Sequence, residues 1–142
     1  MKVVAYSVKP FEKEYLAKAN QKKHDITLIS NPLSVETVAF AAGKNAVIVC
    51  AQDDVSAAVI EKLADLNIRF IVSRSKEVGQ FDKKAAAGYK IKLANVLSDQ
   101  PQEIADQTIS NLDLYQQNMC VGDNCACANS CRVKPFPQNL TK

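Results

Sequence analysis

The chain has 142 residues, 47% of them hydrophobic and 23% charged, with a formal net charge of +3. That size fits one globular domain with a buried core. The mild charge sits on dispersed lysines and marks no nucleic-acid surface, and no apolar run nears the roughly 18–20 residues of a membrane span.

The opening MKVVAYSVKP has a short apolar run and no small-residue cleavage site, which predicts a cytoplasmic protein without a signal peptide. Residues 2–7 form a β-rich hexamer, and Lys9-Pro10 breaks it to open a helix over about 11–21. DITLIS at 25–30 predicts a second strand. Asn31-Pro32 then turns the chain, and Ser34 is placed to cap a short helix to about 42, ended by Gly43.

AVIVC at 46–50 is a continuous apolar run of the kind that suits a strand covered on both faces. Asp53 or Asp54 is the expected cap of a helix that presents Val55, Val59, Leu63 and Leu66 at helical spacing. A fourth strand follows at 68–72, a short helix at 82–87 and a fifth strand at 89–93. Lys90 and Lys92 alternate there with Ile91 and Leu93, as at a sheet edge. The last helix runs to about 115, with Asp99 as cap, Pro101 in the first turn and Ile104, Thr108 or Ile109, Leu112 and Tyr115 facing inward.

Strands alternating with helices over short loops predict an α/β fold, a flavodoxin-like three-layer, doubly wound parallel sheet of five strands. The division expected is an α/β domain over 1–117 and a polar, cysteine-rich tail over 118–142 that stays outside the core.

Four cysteines crowd that tail. Cys120, Cys125, Cys127 and Cys131 follow C-x4-C-x-C-x3-C among small and polar residues. Four thiolates in twelve residues match the ligand count of a tetrahedral zinc site or an iron–sulfur cluster. Thiol–disulfide or persulfide chemistry is the competing use, and a tail whose cysteines do nothing specific is the bland one. Cys50 ends the third strand, where a buried apolar cysteine is the default. His24, the only histidine, lies in KKHD before the second strand and reads as a solvent-facing loop residue.

Several segments resemble the D-2-hydroxyacid dehydrogenases, D-lactate dehydrogenases above all. YSVKPFEKEYL at 6–16 is similar to their first strand and loop, and VIVCAQDDV at 47–55 to their third strand. RFIVSRSKEVGQFDKKAAA at 69–87 resembles a fourth strand and loop whose family form is roughly R-[SC]-A-G-F-N-N-[VI]-D-x-x-A-A. IADQTISNL at 104–112 resembles the helix that closes the family's chain. In that family a substrate domain in two pieces flanks an NAD-binding Rossmann domain, and the closing helix returns to the first piece.

The resemblance therefore implies a substrate domain whose flanks meet at residues 94–101 with the nucleotide domain missing. No G-x-G-x-x-G occurs, and the four glycines, at 43, 79, 88 and 122, offer no other phosphate cradle. The family's catalytic arginine, glutamate and histidine have no counterpart either. Neither NAD binding nor dehydrogenase activity is expected of the domain alone.

Arg74, Ser75, Lys76 and Glu77 are the remnant of the substrate loop. Lys76 and Glu77 stand where the family has Ala-Gly, and a glutamate beside an anion site repels a carboxylate. The implied function is a stand-alone binding or interaction module, with a protein partner on the surface that once faced the nucleotide domain. One part of a split NAD-dependent 2-hydroxyacid dehydrogenase and a thiol redox protein are the alternatives.

Overall fold

The computed structural model describes residues 1–79, 81–122 and 125–126. Five strands, β1 (Lys2–Ala5), β2 (Asp25–Leu28), β3 (Ala46–Val49), β4 (Phe70–Ser73) and β5 (Lys92–Ala94), pair in the order β2-β1-β3-β4-β5. Every pairing is parallel. This is the flavodoxin-like order, in which the reversal between β1 and β3 opens a crevice at the carboxyl ends of the strands.

Alternation along the strands builds the two cores. Val4 and Tyr6 of the first strand segment, Val47 and Val49 of β3 and Ile71 of β4 face one side. There they meet a 3-10 turn (Val38–Ala41), α2 (Ala57–Asp65) and α3 (Lys83–Gly88), through Val38, Val59, Leu63 and Ala86. Val3, Ala5, Ile48, Val72 and Ala94 face the other side and meet Ile109, Leu112 and Tyr115 of α4 (Pro101–Gln116). Because β3 contributes to both cores, all four of its residues are buried, as its unbroken apolar run predicts.

On the second face α4 packs against α1 (Pro10–Asn20) as well as on the sheet. The last helix thus returns to the opening strand–helix units, as the resemblance implies. Phe70 and Tyr115 stack with ring centroids 4.6 Å apart, fixing the end of α4 over β4.

Several local expectations are corrected. The helix expected from Ser34 is only the four-residue 3-10 turn. Ser34 Oγ accepts the Glu36 N–H, Ser34 N–H donates to Thr37 Oγ1, and Thr37 Oγ1 donates to Pro32 O at 2.6 Å. Such side-chain bonds give the backbone an alternative to a helix. Ser56, not Asp53 or Asp54, is the N-cap residue of α2, and Gln100, not Asp99, holds that position in α4.

The fifth strand starts at Lys92 instead of 89, because Lys90 lies at φ 61° in a turn that ends α3. Lys90 and Ile91 donate there to Ala87 O and Ala86 O. Described residues after 117 also enter the core. Val121 and Ala126 are buried, Cys125 pairs antiparallel with Ala94, and Ala126 N–H donates to Leu93 O at 2.9 Å. Residues 125–126 therefore cover the exposed edge that a terminal strand would otherwise leave. No helix among the described residues is long and apolar enough to cross a membrane.

Candidate ligand-binding cleft

At the carboxyl ends of the strands the loops converge on Asp53, which is 2% exposed. Its Oδ1 accepts Ser7 Oγ at 2.6 Å and Leu33 N–H at 3.1 Å, and its Oδ2 accepts Cys50 N–H at 2.9 Å. One carboxylate thus ties together the loops that follow β1, β2 and β3. Beside it Tyr6 is fully buried and donates to Thr37 O at 2.8 Å. Burial, and secondarily the Asp53 charge, push the Tyr6 phenol up to about 12.

Arg74 comes off the end of β4 and lies under the cleft with its side chain 4% exposed. Nη2 donates to Tyr6 O and Ser7 O, each at 3.1 Å, and Nη1 is 3.5 Å from Glu12 Oε2 of α1. Nε and Nη1 reach no hydrogen-bond partner among the described residues. A buried guanidinium with unmet donors is costly unless an acceptor arrives. Ser75 faces inward: its Oγ accepts Ala51 N–H at 3.0 Å, and its own N–H donates to Ser73 Oγ at 3.0 Å.

Lys76 and Glu77 are exposed on the rim. Lys76 Nζ reaches across to Asp99 Oδ2 before α4 at 3.3 Å, and Lys76 O accepts from Asn95 Nδ2 at 3.0 Å. Arg74, Ser75, Lys76, Glu77, Ala51, Ser98, Asp99 and Ile104 line an open cleft of about 490 Å³. The structure therefore brings the loop residues 74–77 to one cleft. Its cationic floor and loop hydroxyl suit a small anion, and the exposed Glu77 opposes one from the rim.

A wider basic concavity of about 800 Å³ lies at the other end of the sheet, around Met1, Lys22, Lys23 and His24. Its walls are surface lysines at the amino ends of strands, where parallel α/β sheets do not carry their ligands. The smaller cleft is the candidate.

The solvent-facing reading of His24 is overturned. Its side chain is fully buried, with Nε2 2.7 Å from Asp113 Oδ1 of α4. The local sequence KKHD held no sign of this, because the partner is 89 residues away. Glu12 escaped notice for the same reason, and Asp53, expected as a helix cap, instead finds Ser7 and Leu33, 46 and 20 residues away.

Of the four clustered cysteines, Cys120 and Cys125 lie among the described residues, each half-buried, and Cys127 and Cys131 fall outside them. Among the described residues no three His, Cys, Asp or Glu side chains form a metal-holding group. Cys50 is half-buried, with its Sγ donating to Gln52 Oε1 at 3.3 Å, so the fully buried default does not hold.

The sequence model of the D-isomer specific 2-hydroxyacid dehydrogenase catalytic domain matches residues 3–132. D-lactate dehydrogenase kk1H of Curvularia clavata is 33% identical over 115 residues, which are 78% of this chain and 33% of that one. D-lactate dehydrogenase of Escherichia coli K12 is 28% identical over 110 residues, 77% of this chain and 33% of that one. The apo-structure of D-lactate dehydrogenase from Escherichia coli superposes with a TM-score of 0.68 at 26% identity, over 83% of this chain and 39% of that one.

This chain spans about a third of the length of the relatives it matches.

Proposed function

The chain belongs to the D-isomer specific 2-hydroxyacid dehydrogenases, matching their catalytic domain, and on that premise we propose that it is a carboxylate-binding domain without hydride-transfer chemistry of its own. The observation that carries this reading is Arg74. It is a buried cation with unmet donors beneath the loop 74–77, at the crevice where parallel α/β sheets take their ligands. Hydride transfer needs a held nicotinamide and an acid–base group within reach of the reacting carbon and oxygen. The cleft offers Ser75 and Lys76, and the four glycines of the chain compose no dinucleotide cradle.

The test is a titration with small 2-oxo and 2-hydroxy acids, read by amide chemical shifts, alongside an assay with NADH. Shifts centred on 74–77 that are lost in Arg74→Ala, with no NADH oxidation, support the proposal. Turnover by the chain alone would overturn it.

A second reading has a specific observation behind it. Phe11 and Leu97 are 58% and 52% exposed, one beside the cleft on α1 and the other just before α4. Apolar side chains left in water around a ligand crevice suit a covering partner. In this reading the partner is a nucleotide-holding subunit, and the two together form a split dehydrogenase. Activity that appears only on mixing with such a subunit, and falls in Phe11→Ala, would favour it over the binding module.

The cysteine segment enters the proposal as an appended thiolate site for zinc or an iron–sulfur cluster, held by Cys120, Cys125, Cys127 and Cys131. It rests on their spacing. A cytoplasmic location is proposed with it, since thiolate metal sites persist in a reducing compartment.

A further inference from the structure

The sheet has two edges, and the chain treats them differently. Residues 125–126 cover β5, whereas nothing among the described residues pairs with the outer side of β2. Asp25 N–H donates to Met1 O and Ile29 N–H to Ala5 O, so the period of two turns the backbone groups of Ile26 and Leu28 outward. Asp25 and Thr27 are exposed and Ile26 and Leu28 half-buried, which leaves this side open to water.

Cations gather along the same strand. The wide basic concavity at the amino ends of the strands has Lys22, Lys23 and Ile26 in its walls. Lys44, from the loop before β3, lays its Nζ on Thr27 Oγ1 of β2 at 3.2 Å. Among the described residues neither Lys22 nor Lys44 has a carboxylate within ion-pair distance. The nearby acids are already answered: Asp113 is held by Lys23 and His24, and Asp25 stands opposite Lys2 in the register with β1.

We propose that β2 takes an added strand from another protein, an extended acidic segment whose main chain pairs with Ile26 and Leu28 and whose carboxylates meet Lys22 and Lys44. Main-chain bonds to an open edge supply affinity, and side chains at alternate positions supply selection. Lysines bordering an edge repel a strand that brings cations of its own. A second copy of this chain carries the same lysines to the seam and is disfavoured. The chain's own residues 127–142 fit no better, since they hold Arg132, Lys134 and Lys142 and no acid. Single-stranded nucleic acid is held on aromatic platforms, and the walls of the concavity include no Phe, Tyr or Trp.

Three probes test this: a capped eight-residue peptide alternating Val and Glu, its counterpart alternating Val and Lys, and an oligonucleotide of eight uridines, each titrated into isotope-labelled protein. The acidic peptide is expected to shift the Ile26 and Leu28 amides, to slow their hydrogen exchange and to lose affinity as salt rises. The basic peptide and the oligonucleotide should leave both amides unmoved. Lys22→Glu combined with Lys44→Glu should weaken the acidic peptide about tenfold. Ile26→Pro removes an outward N–H and no bond to β1, a change edge strands tolerate, and should abolish binding. The lysine reversals carry the test alone should the proline variant unfold.

No shift from the acidic peptide, equal shifts from the two peptides, or binding that the lysine reversals leave unchanged overturns the proposal. Binding without protection of residues 26 and 28 removes the strand addition. Protection that appears on concentrating the protein alone gives the edge to a second copy, and stronger shifts from the oligonucleotide give the surface to nucleic acid; each overturns the acidic-segment reading.

Discussion

His24 Nε2 sits 2.7 Å from Asp113 Oδ1 and joins the loop before β2 to the last turn of α4. The same carboxylate takes Lys23 Nζ on its other oxygen at 3.1 Å, and Asn20 holds the His24 backbone through both its amide groups. α4 is therefore fastened at both ends: by Asp113 near its close, and by Gln107, which accepts Leu97 N–H at 2.6 Å, near its start. Between them Asn111 donates to Asn95 O at 3.0 Å. The helix lines the candidate cleft through Ile104, so its seating sets the width of that site.

Replacing Asp113 by Ala should leave Nε2 of a fully buried imidazole without its partner, while Nδ1 keeps the N-terminal amine at 3.4 Å. The expected loss is about 1–3 kcal/mol, the usual cost of an unmet buried polar group. It should appear as a lower urea midpoint with an unchanged slope. Lys23→Ala removes only the exposed half of the arrangement and should cost under about 1 kcal/mol. Equal effects from the two would show that the histidine contact contributes little.

Arg74 links β4 to the carbonyls of Tyr6 and Ser7 and to Glu12 on α1. Arg74→Ala frees those acceptors and leaves Glu12 without its cation, for an expected loss of about 3 kcal/mol. Glu12→Gln keeps the shape and both carbonyl bonds, so it should cost about 1 kcal/mol and leave anion binding in place. A stable Arg74→Ala domain that still binds 2-oxo acids would remove the guanidinium from the site.

What the sequence made legible follows from how local each cause is. The five strands and four helices stand out because their apolar period and their Pro, Gly and Asp punctuation sit within a few residues. The fold was readable on that basis, and loop 74–77 only through its resemblance to the family's substrate loop. The short segment at 34–42 was misread because Ser34 and Thr37 bond the backbone in a way that competes with the helix their pattern suggests. His24–Asp113, Arg74–Glu12 and the three bonds to Asp53 join residues 20 or more positions apart in all but the Cys50 case. No periodicity encodes such pairings. Asp53 was read as a helix cap because an acid before a helix usually is one, whereas here the loops it faces claim both of its oxygens.

The thiol tail carries a prediction separable from the fold. If Cys120, Cys125, Cys127 and Cys131 hold a metal, anaerobically purified protein should contain about one zinc per chain, or show the visible absorption of an iron–sulfur cluster. Serine at any of the four should reduce the content strongly, and Cys50→Ser should not. Loading should weaken at low pH, since every thiol proton must leave before the metal enters. Metal-free protein with four titratable tail thiols would exclude the site, and thiols that become protected only under mild oxidation would point to disulfide chemistry.

Alkaline stability should hinge on Tyr6. Its phenol is buried against Asp53 and keeps its proton to about pH 12, against 10.0 for an exposed tyrosine. Below pH 10 folded and unfolded chains are both protonated there, and the stability that goes with the buried neutral phenol is fully present. Between pH 10 and 12 the unfolded chain sheds the proton while the folded one retains it, so folding loses about 2–3 kcal/mol across that window. Tyr6→Phe forfeits the hydrogen bond to Thr37 O and should cost about 1 kcal/mol at neutral pH. It should also flatten the decline above pH 10 by one proton's worth of slope. Urea unfolding at intervals from pH 8 to 12 measures both effects, and parallel curves for the two proteins would show that the Tyr6 proton is not what alkali removes.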